Sequence, residues 1–266
     1  MGLFIDIHCH LDHFHFNNGR DAVVQRAKDA GVRAILSNGI NPETNRSTLD
    51  LAKKYPLVKA ALGIYPIHAL QKDIDTGAYP LRPNVFDVDE EIRFIEKNKG
   101  AIAAVGECGL DGLDMEHMAE QKAVFDKMIS SAKRIRKPLI VHSRRAEQEV
   151  LDMLGSSSIK KVLLHCFSGK KNAVKKGIDA GYCFSIPTNI VRAQNFQWMA
   201  EHVPLGQLFC ETDAPYLSPF REIMNGRNEP AFVVESYKKI AEIKKMELVE
   251  VMNHVWMNWQ NVFAKD

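Results

Sequence analysis

Seven side chains able to bind a metal stand at the ends of short apolar runs. His8 and His10 follow LFIDI, Glu107 follows AIAAVG, His142 follows LIV and His165 follows VLL, while Glu211 and Asp213 close LFCETD. Imidazole and carboxylate together suit divalent ions. One buried histidine at a strand end is commonly a satisfied structural group. Four histidines and at least two carboxylates at the same kind of position demand more. Isolated buried charges are costly unless paired or bound to a metal. The spacing adds direction, since side chains two apart on a strand point the same way. His8 and His10 can thus offer two imidazoles to one ion while Cys9 turns away. Glu211 and Asp213 stand in the same relation, and Cys108 and Cys166 are expected to turn aside as small buried apolar groups. An open catalytic zinc site takes about three protein ligands, so this set exceeds one ion and fits two if a carboxylate bridges. Two ions about 4 Å apart can activate a water and clamp the attacking and leaving oxygens of a phosphoryl transfer.

Such residues need a scaffold that brings strand ends together. Apolar runs occur at 3–7, 33–38, 58–64, 101–107, 138–143, 161–166, 182–186 and 208–213. Between them lie amphipathic patterns, among them 21–31, 90–98, 118–136 and 171–181, and Gly31, Gly100, Gly155 and Gly181 sit where helices should end. Short runs buried on both faces and alternating with helices predict a parallel sheet. Eight of them select an α/β fold of the closed (β/α)8, TIM-type class, a single domain over 1–266 with an extra C-terminal helix over 249–265. In such a barrel the C-terminal strand ends surround one mouth. Residues 71–85 read as an inserted surface loop.

Composition narrows the function classes. At 45% hydrophobic and 26% charged residues, the chain is globular rather than disordered. Lys+Arg 35 against Asp+Glu 33 leaves a formal charge of +2, which excludes gripping DNA mainly through net charge. A strand end or flexible single strand entering the mouth remains compatible. Five cysteines without a CxxC do not form a disulfide scaffold or zinc ribbon. Their odd number and the absent secretory leader imply a reducing, cytoplasmic setting. No apolar run approaches the ~20 residues that span a bilayer, and no obligate protein partner is evident.

The stretches DIHCHLD (6–12), GECGLD (106–111), VHSR (141–144), HCFSG (165–169), ETDAPYL (211–217) and GRNEPAFV (226–233) resemble the TatD family of metal-dependent hydrolases in order and spacing across nearly the whole chain. The resemblance implies two divalent metal ions, Mg, Mn or Zn. It places one ion on His8, His10, Glu107 and Asp213, and a second on Glu107, His142 and His165, with Glu107 bridging. Asp213 would orient or deprotonate the attacking water. The implied activity is a metal-dependent deoxyribonuclease, often acting from a 3′ end on DNA, single-stranded or at strand ends. The alternative is a deacylase or amidohydrolase of another ester or amide, such as mischarged aminoacyl-tRNA. A non-enzymatic metal-bearing scaffold would need a crippled ligand position, and none is visible.

The family commonly carries GxHPH after the third strand, and here GIYPIH (63–68) puts Tyr65 and Ile67 at those histidine positions with His68 one residue late. Tyr65 and His68 are therefore substrate-side candidates rather than direct counterparts. Arg144 and Arg145 could face a phosphate or be solvated at a helix start. Ser168 and Gly169 read as residues of a βα loop where backbone donors approach an anion, and Lys170, Lys171, Lys175 and Lys176 as a solvated helix face. His13 and His15 read as loop residues, and His117, His202 and His254 as structural.

Overall fold

Eight parallel strands wrap a common axis in the computed structural model, which describes residues 2–67, 74–75, 80–81, 86–220 and 227–264. The barrel strands are β1 (Phe4–Cys9), β2 (Val32–Asn38), β3 (Val58–Leu62), β6 (Ile102–Asp111), β7 (Leu139–Arg144), β8 (Val162–Leu164), β9 (Cys183–Pro187) and β10 (Leu208–Glu211), neighbours in that order. A small antiparallel pair, β4 (Ile74–Asp75) with β5 (Pro80–Leu81), falls within the expected loop. The rest of residues 71–85, and His68, lie outside the described residues.

The helices are α1 (Arg20–Asp29), α2 (Pro42–Lys54), α3 (Val88–Lys97), α4 (Met118–Ile135), α5 (Glu147–Ser157), α6 (Lys171–Asp179), α7 (Gln194–His202), α8 (Val233–Lys244) and α9 (Leu248–Val262). Local chemistry starts and stops them. Asn41 accepts the Thr44 N–H at 3.0 Å while Thr44 Oγ1 accepts the Asn41 N–H at 3.0 Å, a reciprocal cap for α2. Asp87 accepts two N–H groups at the start of α3. Gly31 and Gly181 follow α1 and α6 with φ of 90° and 79°, as the sequence predicts. Gly155 does not end its helix: it lies inside α5, which stops at Ser158 with φ of 58°. The extra C-terminal helix is α9, packed against β1 and β10.

The seam between the first and last strands is closed by mixed means. Asp213 N donates to His8 O and His10 N to Ala214 O, both at 2.8 Å. Asp6 accepts the Thr212 N–H at 2.9 Å and its hydroxyl at 2.6 Å. The Tyr237 hydroxyl of α8 engages both N–H and C=O of Ile5. The N–H and C=O of Ile5, the C=O of His8 and the N–H of His10 thus all have partners, which a buried backbone requires. Behind the sheet, Ile5, Ile7 and Cys9 join the apolar layer under the helices, while Asp6 and His8 alternate with them.

Candidate metal centre

At the C-terminal mouth, side chains from β1, β6 and β7 and from residues just beyond β1, β8 and β10 meet in one largely buried cluster. His8 Nε2 and His10 Nε2 each lie 3.4 Å from Glu107 Oε2, and 3.7 and 3.6 Å from Asp213 Oδ1. The other carboxylate oxygen serves a second group: Glu107 Oε1 lies 3.0 Å from His142 Nδ1 and 2.9 Å from His165 Nε2, which are 3.3 Å apart. With metal–ligand bonds of about 2.0–2.2 Å, neighbouring ligand atoms fall roughly 2.9–3.6 Å apart, so both groups have the spacing of a coordination shell. His8 Nε2 is buried, yet no hydrogen bond satisfies it. An orphaned imidazole nitrogen between two carboxylates is what a cation would complete. The residues present therefore fit a divalent metal centre.

The electrostatics agree. Burial alone would raise Glu107, but the His165 and His8 charges and hydrogen bonds from His142 and His165 hold it well below the usual carboxylate range. Asp213 is likewise lowered: the His10 hydrogen bond and the surrounding histidines outweigh its burial. Burial would lower His10, but the bond to Asp213 and the charges of Glu107 and Asp213 push it up to about 9. His8 goes down, through burial and the neighbouring His165.

Behind each group a further layer sets ring orientation. His10 Nδ1 lies 3.1 Å from the Asn38 carbonyl of β2. His165 Nδ1 faces Glu211 Oε2 at 3.6 Å, and that oxygen accepts the Ser185 hydroxyl at 2.6 Å. His142 Nε2 lies 3.2 Å from Asp111 Oδ2 and 3.1 Å from the Tyr65 hydroxyl. Tyr65 donates to Asp111 Oδ2 at 2.6 Å, and Arg144 grips the same carboxylate through Nε and Nη2 at 2.6–3.1 Å. Each outer partner leaves the ring's other nitrogen to face the centre.

Two glycines permit this assembly. A Cβ on Gly63 would lie 2.2 Å from the Glu107 carbonyl oxygen. One on Gly109, where φ is 147°, would lie 2.0 Å from the His142 carbonyl oxygen.

The six expected ligand residues thus converge. Glu211 and Asp213 both stand within reach of His8, as their spacing predicts, Glu211 together with His165 and Asp213 together with His10. The strand ends at Glu211, and Asp213 beyond it turns with φ of 53° to reach His8 and His10, leaving Glu211 behind His165. Arg144 is not a solvated helix start, because it ends β7 and pairs with a buried carboxylate. Asp111 is the functional residue that sequence reasoning missed. The strand is expected to stop at residue 107, but β6 runs on to Asp111 through Gly109. The signal was the GLD that continues the apolar run. Cys9 and Cys108 are buried, and none of the metal-capable groups among the described residues contains a cysteine. His13 caps and His15 lies within a short turn, Phe14–Phe16. His117 contacts Asp114, and His202 stacks on Trp198. Ser168 donates to Glu147, and the lysines of α6 lie on its exposed side, Lys176 paired with Asp152.

A parallel (β/α)8 barrel with a histidine–carboxylate cluster at its mouth defines the class of metal-dependent hydrolase barrels. The family described as TatD related DNase matches residues 5–264, and the chain belongs to that family of metal-dependent hydrolases. Among curated proteins, human deoxyribonuclease TATDN3 is 33% identical, over 98% of this chain and 94% of its own length. The 3′-5′ ssDNA/RNA exonuclease TatD of Salmonella typhimurium is 29% identical over 89% of each chain. Among solved structures, the TatD homologue YjjV of Escherichia coli superposes with a TM-score of 0.85 at 26% identity, covering 99% of both chains.

Proposed function

We propose that this chain hydrolyses phosphodiester bonds of DNA with two divalent ions, removing nucleotides from the 3′ end of a single strand. The single observation that carries the reading is Glu107, whose two oxygens address two separate ligand groups. The names of the human and Salmonella relatives support DNA as the substrate and an exonucleolytic direction. His8, His10, Glu107 and Asp213 would hold one ion, and Glu107, His142 and His165 the other. Mg, Mn and Zn all suit such donors. When bound, the ions supply water activation and stabilise charge on the phosphoryl oxygens.

The chain's own residues do the rest. Asp213 is the more exposed carboxylate of the cluster, with 16% of its side chain open against 3% for Glu107. It is placed to orient the attacking water and take its proton. Arg144, its guanidinium held in plane by Asp111, can direct the remaining Nη1 edge at a substrate phosphate, and Tyr65 lines the same side. His68, outside the described residues, is proposed as a further substrate contact from its place in GIYPIH (63–68). Five free cysteines, four of them buried, suit a reducing, cytoplasmic setting. No helix among the described residues is long and apolar enough to cross a membrane.

The test is release of nucleotides from 3′-labelled single-stranded DNA with Mg²⁺, Mn²⁺ or Zn²⁺, with and without chelator. Chelator-sensitive release supports the proposal. No release in any metal, with turnover on an ester or amide panel instead, would replace it by the deacylase reading.

A further inference from the structure

Five large apolar side chains are strongly exposed among the described residues: Phe14, Met115, Val191, Val249 and Met257. Val249 and Met257 lie on α9, whereas Phe14, Met115 and Val191 sit on loops that follow β1, β6 and β9, around the mouth. Phe14 is the most open of all, with 68% exposure. It does not stand alone. Its ring lies 4.3 Å from His13 and 4.4 Å from His15. His13 lies 5.5 Å from Tyr216, edge to face, and Tyr216 lies 6.3 Å from His10 of the metal centre. An unbroken row of rings thus runs from a candidate ligand out to solvent.

The row is held rather than loose. His13 Nε2 and the Tyr216 hydroxyl are 3.0 Å apart, which ties the loop after β1 to the loop after β10. His13 N donates to His10 O at 3.1 Å, and His13 Nδ1 accepts the His15 N–H at 3.2 Å. Phe16 anchors the turn from below, fully buried, and Arg227 binds the His15 carbonyl at 3.0 Å. A rigid turn that spends one phenylalanine on anchoring and exposes the other presents a fixed flat apolar face beside a charged centre. Planar, weakly polar groups attached to a phosphate chain fit that description. Bases of single-stranded nucleic acid stack on aromatic side chains with little sequence preference.

We infer that Phe14, with His13, His15 and Tyr216, forms a stacking platform for an unpaired nucleobase one or two nucleotides from the scissile phosphate. The inference rests on the nucleic-acid reading above and assigns it a base subsite. The row's continuity with His10 favours a base tethered to the reacting phosphate over an apolar peptide.

The experiment uses the full chain with Mg²⁺ and a single-stranded oligodeoxynucleotide whose 3′-terminal linkages are non-hydrolysable phosphorothioates. 2-Aminopurine is placed first, second or third from the end. The expected result is quenching at one of these positions in the wild type. Phe14→Ala loses the quench and weakens binding on the order of tenfold, and Phe14→Trp restores both. A companion oligonucleotide, abasic at the same positions, should bind the wild type about tenfold more weakly than the base-bearing one. In Phe14→Ala that preference collapses toward one. If the wild type binds DNA but Phe14→Ala keeps the quench and the preference, the platform is overturned while the nuclease reading stands. If the wild type binds no DNA, both fall together. Phe14 is solvent-exposed, so the variants should fold; circular dichroism checks this.

Discussion

The two halves of the metal centre are built differently. On the seam side, His10 is oriented by the Asn38 main-chain carbonyl, and Asp213 by a backbone bond to β1. On the opposite side, His142 and His165 are oriented by side chains: Asp111 with Tyr65 and Arg144 for the first, Glu211 with Ser185 for the second. Orientation by backbone survives substitution; orientation by side chains can be removed one residue at a time. The half built on β6, β7 and β8 is therefore the tunable one. It also holds Tyr65 of GIYPIH (63–68), whose hydroxyl touches both His142 and Asp111.

The largest effect should come from the residue that the halves share. Glu107→Gln removes the charge that both groups use, and loss of activity by a factor on the order of 10³ or more is expected, with metal uptake falling at both sites together. Equilibrium dialysis against Mn²⁺ or Zn²⁺ would show it; retention of one ion would mean that the halves are independent. Asp111→Asn addresses one half alone. Loss of such an outer partner typically weakens metal affinity by about 10–100-fold. Competition with a fluorescent chelator should show one site weakened and the other kept. Equal weakening of both would mean that the two halves are not separately supported.

Acid should act on both halves by displacing metal. A histidine ligates only when neutral, and in the metal-free protein His10 is pushed up to about 9, with His142 and His165 also raised. Below those values a proton competes with the ion, so affinity falls as pH falls, by up to about tenfold per unit for each proton displaced. Calorimetry in buffers of different ionisation enthalpy would count the protons released; pH-independent binding would contradict the assignment. Tyr65→Phe is the mildest. It removes one of two partners from His142 Nε2 and leaves Asp111, so a loss of severalfold in metal affinity at the second site is expected, on the order of the ~1 kcal/mol of one hydrogen bond.

Much of this was legible in the chain. Period-2 alternation placed His8 and Asp6 on one face of β1 and Ile5, Ile7 and Cys9 on the other. Helix caps at Asn41 and Asp87 are local chemistry. The rule failed where strands ended differently from their apolar runs. Asp213 lies beyond the end of β10, and Asp111 is still on β6, so two strand ends fell elsewhere than expected and one outer residue went unnoticed.

What the order of residues determined by itself was the alternation of strand and helix and the kind of side chain at each strand end, because both depend on neighbours a few positions away. What only the closed barrel decided was which oxygen of Glu107 serves which histidines, which carboxylate stands behind His142, and how His13 joins Tyr216 across the seam. Those relations hold between residues far apart in the chain, and they exist only once packing has set the distances between them.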